Sequence, residues 1–268
     1  MGTALVTGAS AGLGLEFAWQ LATARHDLVL VARDEERLNR LARQLEAAAG
    51  VHVEVLAADL TDRADVDRVA DRLRADERPV GLLVNNAGMG LGQHFVDGDL
   101  GAEERALDLM IRTVMVLSHA AAGAMVERGR GAILNVGSVA GLVATGTYSA
   151  HKAWVRVFTE ALATELKGTG VTATVVCPGF TRTEFHERGR IATSHYPEIG
   201  WLDPEDVVAA ALADVRRGVV ISTPSLRYKA ASALLRLAPR SAVRAFGGYR
   251  KAMPDEVADA SDAPDASA

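Results

Sequence analysis

The sequence predicts an α/β fold: a doubly wound parallel sheet of about seven strands with helices on both faces. Short apolar runs rich in Val, Leu and Ile alternate along the chain with longer stretches of helical periodicity. The short runs are apolar on both faces, which is typical of parallel strands that are covered by helices on each side. Ligands of such sheets bind beyond the carboxyl ends of the strands, so the loops at those ends are the candidate functional segments.

The predicted elements follow one another as strand and helix. The first strand, Thr3–Thr7, enters a glycine-rich loop, and apolar residues at helical spacing predict a helix over residues 15–24. Asp34 is expected to be the N-cap of a helix over residues 35–48, because its carboxylate can accept from the free amides of the first turn. The other strands are predicted at residues 28–31, 51–57, 80–84, 132–136, 171–176 and 219–222.

The composition is that of one soluble domain. The 268 residues are 49% hydrophobic and 24% charged, which is enough for one sizeable core. Neither a run of about 18 apolar residues nor a charged-then-apolar leader is present, so we expect a cytoplasmic protein. The single cysteine, Cys177, excludes an internal disulfide and a cysteine-cluster metal site, and it is expected to be a small buried hydrophobe.

Three residues suggest acid–base chemistry at a carbonyl oxygen. Tyr148 and Lys152 are four residues apart, which places them on one face of a helix. A nearby ammonium favours the phenolate, so Lys152 is expected to lower the pKa of Tyr148 from its usual value near 10. Ser138, at the end of the preceding strand, could hydrogen-bond to a carbonyl oxygen while Tyr148 gives or takes the proton.

The loop after the first strand has the spacing Gly-x-x-x-Gly-x-Gly, formed by Gly8, Gly12 and Gly14. Glycines in a strand–loop–helix unit allow close backbone approach, and the amides at the helix start attract a pyrophosphate. Ser10 and Leu13 of the same loop are further candidates for phosphate or cofactor contacts. Taken alone, the loop could also be a glycine-rich turn without a ligand.

With these motifs the chain resembles the short-chain dehydrogenase/reductase family over most of residues 3–223. The further motifs are Asp59-Leu60, Asn85-Asn86-Ala87-Gly88, and Pro178-Gly179 with Thr183. The resemblance implies a Rossmann-type fold, a nicotinamide cofactor, and Ser138, Tyr148 and Lys152 as catalytic residues. It also implies that cofactor contacts come from the glycine loop, from these further motifs, and from Tyr148 and Lys152, with Lys152 binding the nicotinamide ribose. No metal is expected.

Arg33 bears on the choice of cofactor. A site that prefers NAD(H) usually has an acidic residue at the end of the second strand, to bind the ribose hydroxyls. This chain has Ala32-Arg33 there, and a guanidinium matches the oxygens of a 2′-phosphate. We therefore expect NADP(H) rather than NAD(H). The alternative is that Arg33 is only a solvated surface cation.

Met110 departs from the family pattern. The family commonly has an asparagine in the helix before the fifth strand, where it holds a water of the proton relay. Alignment places Met110 at this position, and a thioether is too weak an acceptor to replace the amide. Another group could take over the relay, turnover could be slow, or the alignment could be shifted by one helical turn.

Two later segments concern the substrate and possible partners. Residues 180–202 are expected to form a lid over an apolar carbonyl or alcohol substrate, although their aromatic residues could instead pack the lid onto the body. Basic helices are expected at residues 225–252, where Leu226, Ala230, Ala233, Leu234 and Leu237 form an apolar stripe. This pattern suits an anionic membrane surface or a partner subunit, and packing onto the acidic body is the alternative.

We expect residues 1–253 to form a single dinucleotide-binding and catalytic domain, followed by a disordered acidic tail at residues 254–268. The leading interpretation is an NADP(H)-dependent oxidoreductase, assembled as a homodimer or homotetramer through the two long helices flanking the fifth strand. The alternatives are an NADP(H)-binding sensor with little turnover and a membrane-surface or scaffold protein. Nucleic-acid binding is disfavoured, because the net charge is −5 and no reader motif is present.

Overall fold

The computed structural model describes residues 2–185 and 198–249. These residues form a parallel seven-stranded sheet in the order β3-β2-β1-β4-β5-β6-β7, as the sequence predicts. The strands are β1 (Thr3–Thr7), β2 (Asp27–Ala32), β3 (Val53–Ala57), β4 (Val80–Asn85), β5 (Gly131–Val136), β6 (Val171–Val176) and β7 (Ile221–Ser222).

Helices cover both faces of this sheet. They are α1 (Gly12–Thr23), α2 (Glu35–Ala49), α3 (Arg63–Arg74), α4 (Leu100–Leu107), α5 (Thr113–Glu127), α6 (Thr147–Glu165), α7 (Pro204–Arg216), α8 (Leu226–Leu237) and α9 (Arg240–Tyr249). Helices α1, α2 and α7 enclose one apolar core against the sheet, and α3 and α5 enclose the other. A π-helical turn, Asp108–Arg112, joins α4 to α5. Two short 3-10 turns, Val139–Leu142 and Glu198–Gly200, lie beside the carboxyl edge.

The predicted helix α2 is confirmed to within one residue, whereas α1 begins earlier than predicted. Asp34 caps α2 as expected, since its carboxylate accepts from the backbone nitrogen of Arg37 at 2.9 Å. Helix α1 begins at Gly12, three residues before the expected start, so that the glycine loop supplies its first turn. Apolar periodicity cannot locate this start, because glycine has no side chain that contributes to the pattern.

One continuous helical segment, Leu100–Glu127, is long and apolar enough by length and composition to cross a membrane. The sequence analysis did not single it out, because polar residues interrupt its apolar run. Its residues Leu117, Ala121 and Met125 are buried in the core between the helices and the sheet. We therefore interpret it as a core helix of the fold.

A buried chain of polar side chains ties β4 to β5 just before the carboxyl edge. The Asn85 amide nitrogen donates to Asn135 Oδ1 at 2.9 Å and to Ser118 Oγ at 3.1 Å. Asn135 in turn donates to Thr159 Oγ1 of α6 at 2.9 Å. Asn135 is thus structural, and these bonds fix α5 and α6 relative to the two strands whose loops carry the candidate site.

Candidate active site

The carboxyl edge of the sheet brings the predicted site residues together. Strands β1, β4, β5 and β6 are neighbours and all end at this edge. They lead into the glycine loop, the Asn86 segment, Ser138 and the Pro178-Gly179 segment, respectively. Motifs that are up to about 170 residues apart in sequence therefore lie side by side, as a parallel sheet requires.

The first turn of α1 is open to an anionic ligand. Its N-cap, Ala11, makes no side-chain hydrogen bond to the free amides of the turn. By contrast, aspartate side chains cap α2, α3, α4 and α7. Ser10 and Leu13 flank this turn and are partly exposed. Uncapped amides and a positive helix end, without a nearby carboxylate cap, suit a pyrophosphate.

Three positions of the loop require glycine. Gly8 and Gly12 have φ values of 66° and 55°, a region that other residues rarely adopt. A Cβ atom on Gly14 would lie 2.1 Å from the carbonyl oxygen of Gly8, which leaves no room for a side chain. A Cβ atom on Gly12 would lie 3.3 Å from Thr183 Cβ, so the loop and the start of the lid face each other across the site. The cradle fits the backbone approach that a dinucleotide needs.

The Asn86 side chain is hydrogen-bonded to the start of the glycine loop. Its amide nitrogen donates to the carbonyl oxygen of Thr7 at 2.9 Å. The backbone nitrogens of Asn86 and Ala87 both donate to Thr7 Oγ1, at 2.9 and 3.0 Å. Sequence reasoning singled out Asn86 and Ala87 for cofactor contacts but missed Thr7. A hydroxyl on the last residue of a buried strand, directly before the loop, was the available signal.

The residues predicted to bind the adenosine ribose follow β2, and the predicted Asp59-Leu60 motif follows β3. Arg33 is exposed at the end of β2, and within the described residues its guanidinium has no hydrogen-bond or ion-pair partner. Asp59 Oδ1 accepts from the backbone nitrogen and hydroxyl of Thr61, at 3.0 and 2.8 Å. Leu60 is buried in the core. Arg33 is therefore free to meet a phosphate, whereas the Asp59 carboxylate is already held by the chain.

Ser138, Tyr148 and Lys152 converge at the end of β5. The Ser138 hydroxyl accepts from the backbone nitrogen of Ala140 at 3.1 Å, and it lies close enough to Tyr148 to lower the pKa of the phenol. Lys152 Nζ lies 5.7 Å from the centre of the Tyr148 ring and donates to the carbonyl oxygen of Val136 at 2.7 Å. The first turns of α6 hold the phenol and the ammonium on one face, as their spacing predicts.

The expected effect of Lys152 on the acidity of Tyr148 is wrong for the protein alone. Burial raises the pKa of Tyr148 to about 12, and the hydrogen bond from Ser138 only partly counters this. Burial also lowers the pKa of Lys152 to about 8, because desolvation disfavours the ammonium. Removing both groups from water thus outweighs their proximity, and at neutral pH Tyr148 holds its proton firmly.

Met110 adjoins Lys152 in the folded chain. It is buried within the π-helical turn, at 1% exposure. A Cβ atom on Gly88 would lie 3.8 Å from Met110 Sδ and 3.7 Å from Lys152 Nζ, so the thioether and the ammonium adjoin the same glycine. An apolar group therefore stands next to Lys152 at this position. The π-helical turn itself was not predicted, since no Gly or Pro marks it.

Tyr228 of α8 is a site residue that the sequence analysis missed. Its hydroxyl donates to the carbonyl oxygen of Gly200 at 2.7 Å and accepts from the backbone nitrogen of Phe180 at 3.2 Å. Its ring covers Gly179 so closely that a Cβ atom there would lie 2.0 Å away. The Pro178 carbonyl oxygen is held by the Val139 nitrogen at 3.1 Å. Tyr228 thus fixes the Pro178-Gly179 segment together with both described ends of the lid.

The aromatic residues of the lid divide between two roles. The Phe185 ring lies 5.6 Å from the Tyr148 ring and so borders the reaction site. Phe180 and Trp201 contact each other at 5.8 Å and pack the two ends of the lid together. The remainder of the predicted lid, residues 186–197, lies outside the described residues.

A buried histidine, His151, directly precedes Lys152 in the chain, and no hydrogen bond to the three catalytic candidates is described for it. His151 is 9% exposed, its Nδ1 atom has no hydrogen-bond partner among the described residues, and burial lowers its pKa. Across residues 2–185 and 198–249, no three His, Cys, Asp or Glu side chains are grouped to hold a metal ion. Cys177 is buried at 4% exposure, in agreement with its expected role as a small apolar residue.

Comparison with known proteins agrees with the geometry. The family model described as short chain dehydrogenase matches residues 2–192. Sulfoacetaldehyde reductase 2 of Chromohalobacter salexigens is 41% identical over 186 residues, which are 68% of this chain and 73% of that protein.

Two solved structures are similar over most of the chain. A short-chain dehydrogenase from Sphingobium yanoikuyae in complex with NADPH has a TM-score of 0.80 and 37% identity, covering 98% of this chain and 99% of the other. A short-chain dehydrogenase/reductase from Burkholderia phymatum in complex with NAD has a TM-score of 0.77 and 26% identity, covering 87% and 92%. The two structures contain different nicotinamide cofactors, so similarity alone does not choose between them. The chain belongs to the short-chain dehydrogenase/reductase family, a class of oxidoreductases whose fold binds nicotinamide cofactors.

Proposed function

We propose that this protein is an NADP(H)-dependent reductase that converts the carbonyl group of an apolar substrate to a secondary alcohol, with the same site able to run the reverse oxidation. The observation that carries the proposal is the convergence of Ser138, Tyr148 and Lys152 at the end of β5. A phenol with its pKa raised to about 12 is protonated at neutral pH, which is the form that a carbonyl reduction consumes.

The described residues fit a dinucleotide. The uncapped amides of α1 would bind the pyrophosphate, and the Pro178-Gly179 segment under Tyr228 would border the nicotinamide. Lys152 would reach the nicotinamide ribose. The bound cofactor supplies the hydride that reduces the carbonyl carbon.

The preference for NADP(H) rests on Arg33. Its exposed guanidinium at the end of β2 is unpaired among the described residues and would contact the 2′-phosphate. Since charge-assisted hydrogen bonds contribute about 1.5–3 kcal/mol, Arg33→Ala should weaken NADPH binding about 10- to 100-fold and leave NADH binding nearly unchanged. The matched control is Arg40→Ala, which removes an exposed arginine of α2 that pairs with Glu36. A wild-type protein that binds NADH more tightly than NADPH would contradict the assignment.

In the reaction, each side chain has a separate task. Ser138 accepts from the Ala140 backbone, which leaves its own proton to orient toward the carbonyl oxygen or Tyr148. Tyr148 donates the proton that the developing alkoxide takes up. Lys152 stabilises the resulting phenolate, because it is the charged group nearest the ring among the described contacts.

The substrate class is inferred from the walls of the site. Phe185 borders Tyr148 and supplies an aromatic surface beside the phenol. This surface favours a ketone with an apolar substituent over a small polar sugar. NADPH oxidation measured against carbonyl compounds from short polar to long acyl or steroid-like chains would test this, and a preference for the polar end would contradict it.

Tyr148→Phe is the test of the reaction type. The substitution removes only the hydroxyl, so we expect a loss of at least about 100-fold in kcat with NADPH binding retained. Fluorescence titration with NADPH serves as the control for folding and cofactor binding. A variant with near-normal kcat would falsify the role of Tyr148.

A second function, an NADP(H)-binding sensor with little turnover, is favoured by Met110 alone. Its thioether cannot hold the relay water that an asparagine would hold. The two functions differ in one measurement, since a sensor would bind NADPH tightly and yet show no turnover with any member of the carbonyl panel.

The assembly and the location of the protein are also proposed. Met115 and Val126 of α5 and Val157 of α6 are exposed at 46%, 39% and 55%, which fits burial in a homodimer or homotetramer. Light scattering coupled to size exclusion would detect such an assembly, and Val157→Glu should dissociate it. We propose that the protein acts in the cytoplasm.

A further inference from the structure

Helix α8 carries its leucines on the outside of the molecule. Leu226, Leu234 and Leu237 are 82%, 71% and 85% exposed. The alternative considered from the sequence, that this stripe packs onto the acidic body, is therefore wrong for these side chains. Three large apolar groups on one short helix form a surface that no other described residue covers, which soluble proteins rarely leave open to water.

The opposite side of α8 holds it on the protein. Tyr228, Ser232 and Leu235 recur every three or four residues, and Ser232 is only 6% exposed. Tyr228 is fixed through its hydroxyl to the two ends of the lid. Because each residue turns a helix by about 100°, the three exposed leucines lie on the side opposite to this anchored one. The helix is thus oriented, and its apolar stripe points away from the body.

Cations flank the stripe on both edges. By helical position, Lys229 and Arg236 lie on one side of the leucines and Arg227 on the other, and all three are exposed. Arg240 and Arg244 continue the exposed positive surface on α9. An apolar stripe bordered by lysine and arginine is the pattern of helices that lie in the headgroup region of anionic membranes.

We propose that α8, with the adjoining α9, docks on an anionic lipid surface, with its leucines in the acyl boundary and its cations at the phosphates. Residues 215–253 contain nine Lys or Arg and no Asp or Glu, which suits a negatively charged partner. A second copy of the chain would bring two like-charged faces together. The acidic segment 254–268 could offset part of the charge, but its only large aliphatic side chain is Val257, too little to cover the leucines.

The exposed Ile199, at 69%, lies next to α8 through the bond from Arg227 to its carbonyl oxygen and would extend the apolar contact. The docking proposal itself does not depend on the proposed reaction, since it concerns only the outer side of α8 and α9.

The test is flotation of the full-length protein with vesicles of phosphatidylcholine alone or mixed with phosphatidylserine. We expect the wild-type protein to float with the mixed vesicles and not with phosphatidylcholine alone. The double variant Leu234→Glu/Leu237→Glu should lose at least tenfold in vesicle affinity and keep its melting temperature and NADPH affinity. The matched control is Val96→Glu, which changes a 92% exposed apolar residue far from α8 in sequence and should float like the wild type.

Two results would overturn the proposal: no flotation of the wild-type protein with the mixed vesicles, or undiminished flotation of the double variant. Size exclusion of the same proteins identifies the rival occupant. A wild-type oligomer that the double variant dissociates, without vesicle binding, would mean that a second copy covers the stripe instead.

Discussion

Lys152 is a buried cation, and its replacement by methionine should stabilise the fold. The ammonium group is 5% exposed at the residue level, and burial lowers its pKa from 10.5 to about 8. At about 1.36 kcal/mol for each pKa unit, holding the charged form costs roughly 3 kcal/mol at neutral pH. Loss of the hydrogen bond to the Val136 carbonyl oxygen offsets about 1 kcal/mol of the gain. Lys152→Met, which keeps the length of the side chain, should therefore raise the free energy of unfolding by about 2 kcal/mol.

The pH dependence gives the sharper measurement. The pKa of Lys152 is lower in the folded than in the unfolded chain, so the unfolded chain binds more protons between about pH 8 and 10.5. Wild-type stability must then rise with pH in that window relative to the variant. From about pH 7 to pH 9 the advantage of Lys152→Met should shrink by roughly 1.3 kcal/mol.

Urea unfolding of both proteins without cofactor, at several pH values in this range, measures the difference. Tyr148 and Cys177 titrate in the opposite sense above about pH 9, because burial raises the pKa of each. Since Lys152 also acts on the pKa of Cys177, wild type and variant are compared below about pH 9. Lys167→Met, at an exposed lysine after α6, is the control and should follow the wild-type profile. A constant difference between wild type and Lys152→Met across the range would refute the argument that burial governs this ammonium.

Three further changes probe the surroundings of the site. Met110→Asn would place an amide beside Lys152 in place of the thioether, so we expect the acidic limb of the pH–rate profile to shift and kcat to rise several-fold. The newly buried polar group should lower the free energy of unfolding by about 1–3 kcal/mol. An unchanged kcat and an unchanged profile would show that this position does not influence the proton path. Tyr228→Phe removes two hydrogen bonds of about 1 kcal/mol each, so the melting temperature should fall by several degrees. The KM for NADPH should rise by a larger factor than kcat falls, and a change in kcat alone would count against a role of Tyr228 in holding the Pro178-Gly179 segment. Gly14→Ala should abolish NADPH binding or folding, because its Cβ atom would lie 2.1 Å from a carbonyl oxygen. Gly88→Ala should fold and melt like the wild type, because the nearest neighbouring atom would lie 3.7 Å from its Cβ atom. Calorimetry of the two variants compares them directly.

The sheet and part of the site could be predicted because their signals are local. Neighbouring strand residues such as Leu28 and Val29 are buried on opposite faces of the sheet, so their apolar runs predict parallel strands directly. The cap at Asp34 depends on bonds only three residues long, and the approach of Tyr148 to Lys152 depends on one helical turn. Each of these features is determined by neighbours in the chain.

The features that escaped prediction depend on distant parts of the chain. The acidity of Tyr148 depends on how completely the folded protein removes it from water, which spacing along a helix does not reveal. Asn86 binds Thr7 across 79 positions, and Tyr228 reaches Phe180 across 48. Such partners are chosen by the fold, so a motif can identify the participants and still leave their tasks undetermined.

The bonds from Asn86 to Thr7 have a consequence for how fast and how tightly a ligand can be captured. They hold the phosphate-facing backbone in its working shape by contacts within the chain itself, so the ordering entropy of the loop was already lost when the protein folded. A dinucleotide that binds such a preorganised loop need not change its conformation, so we expect one-step association with little induced fit.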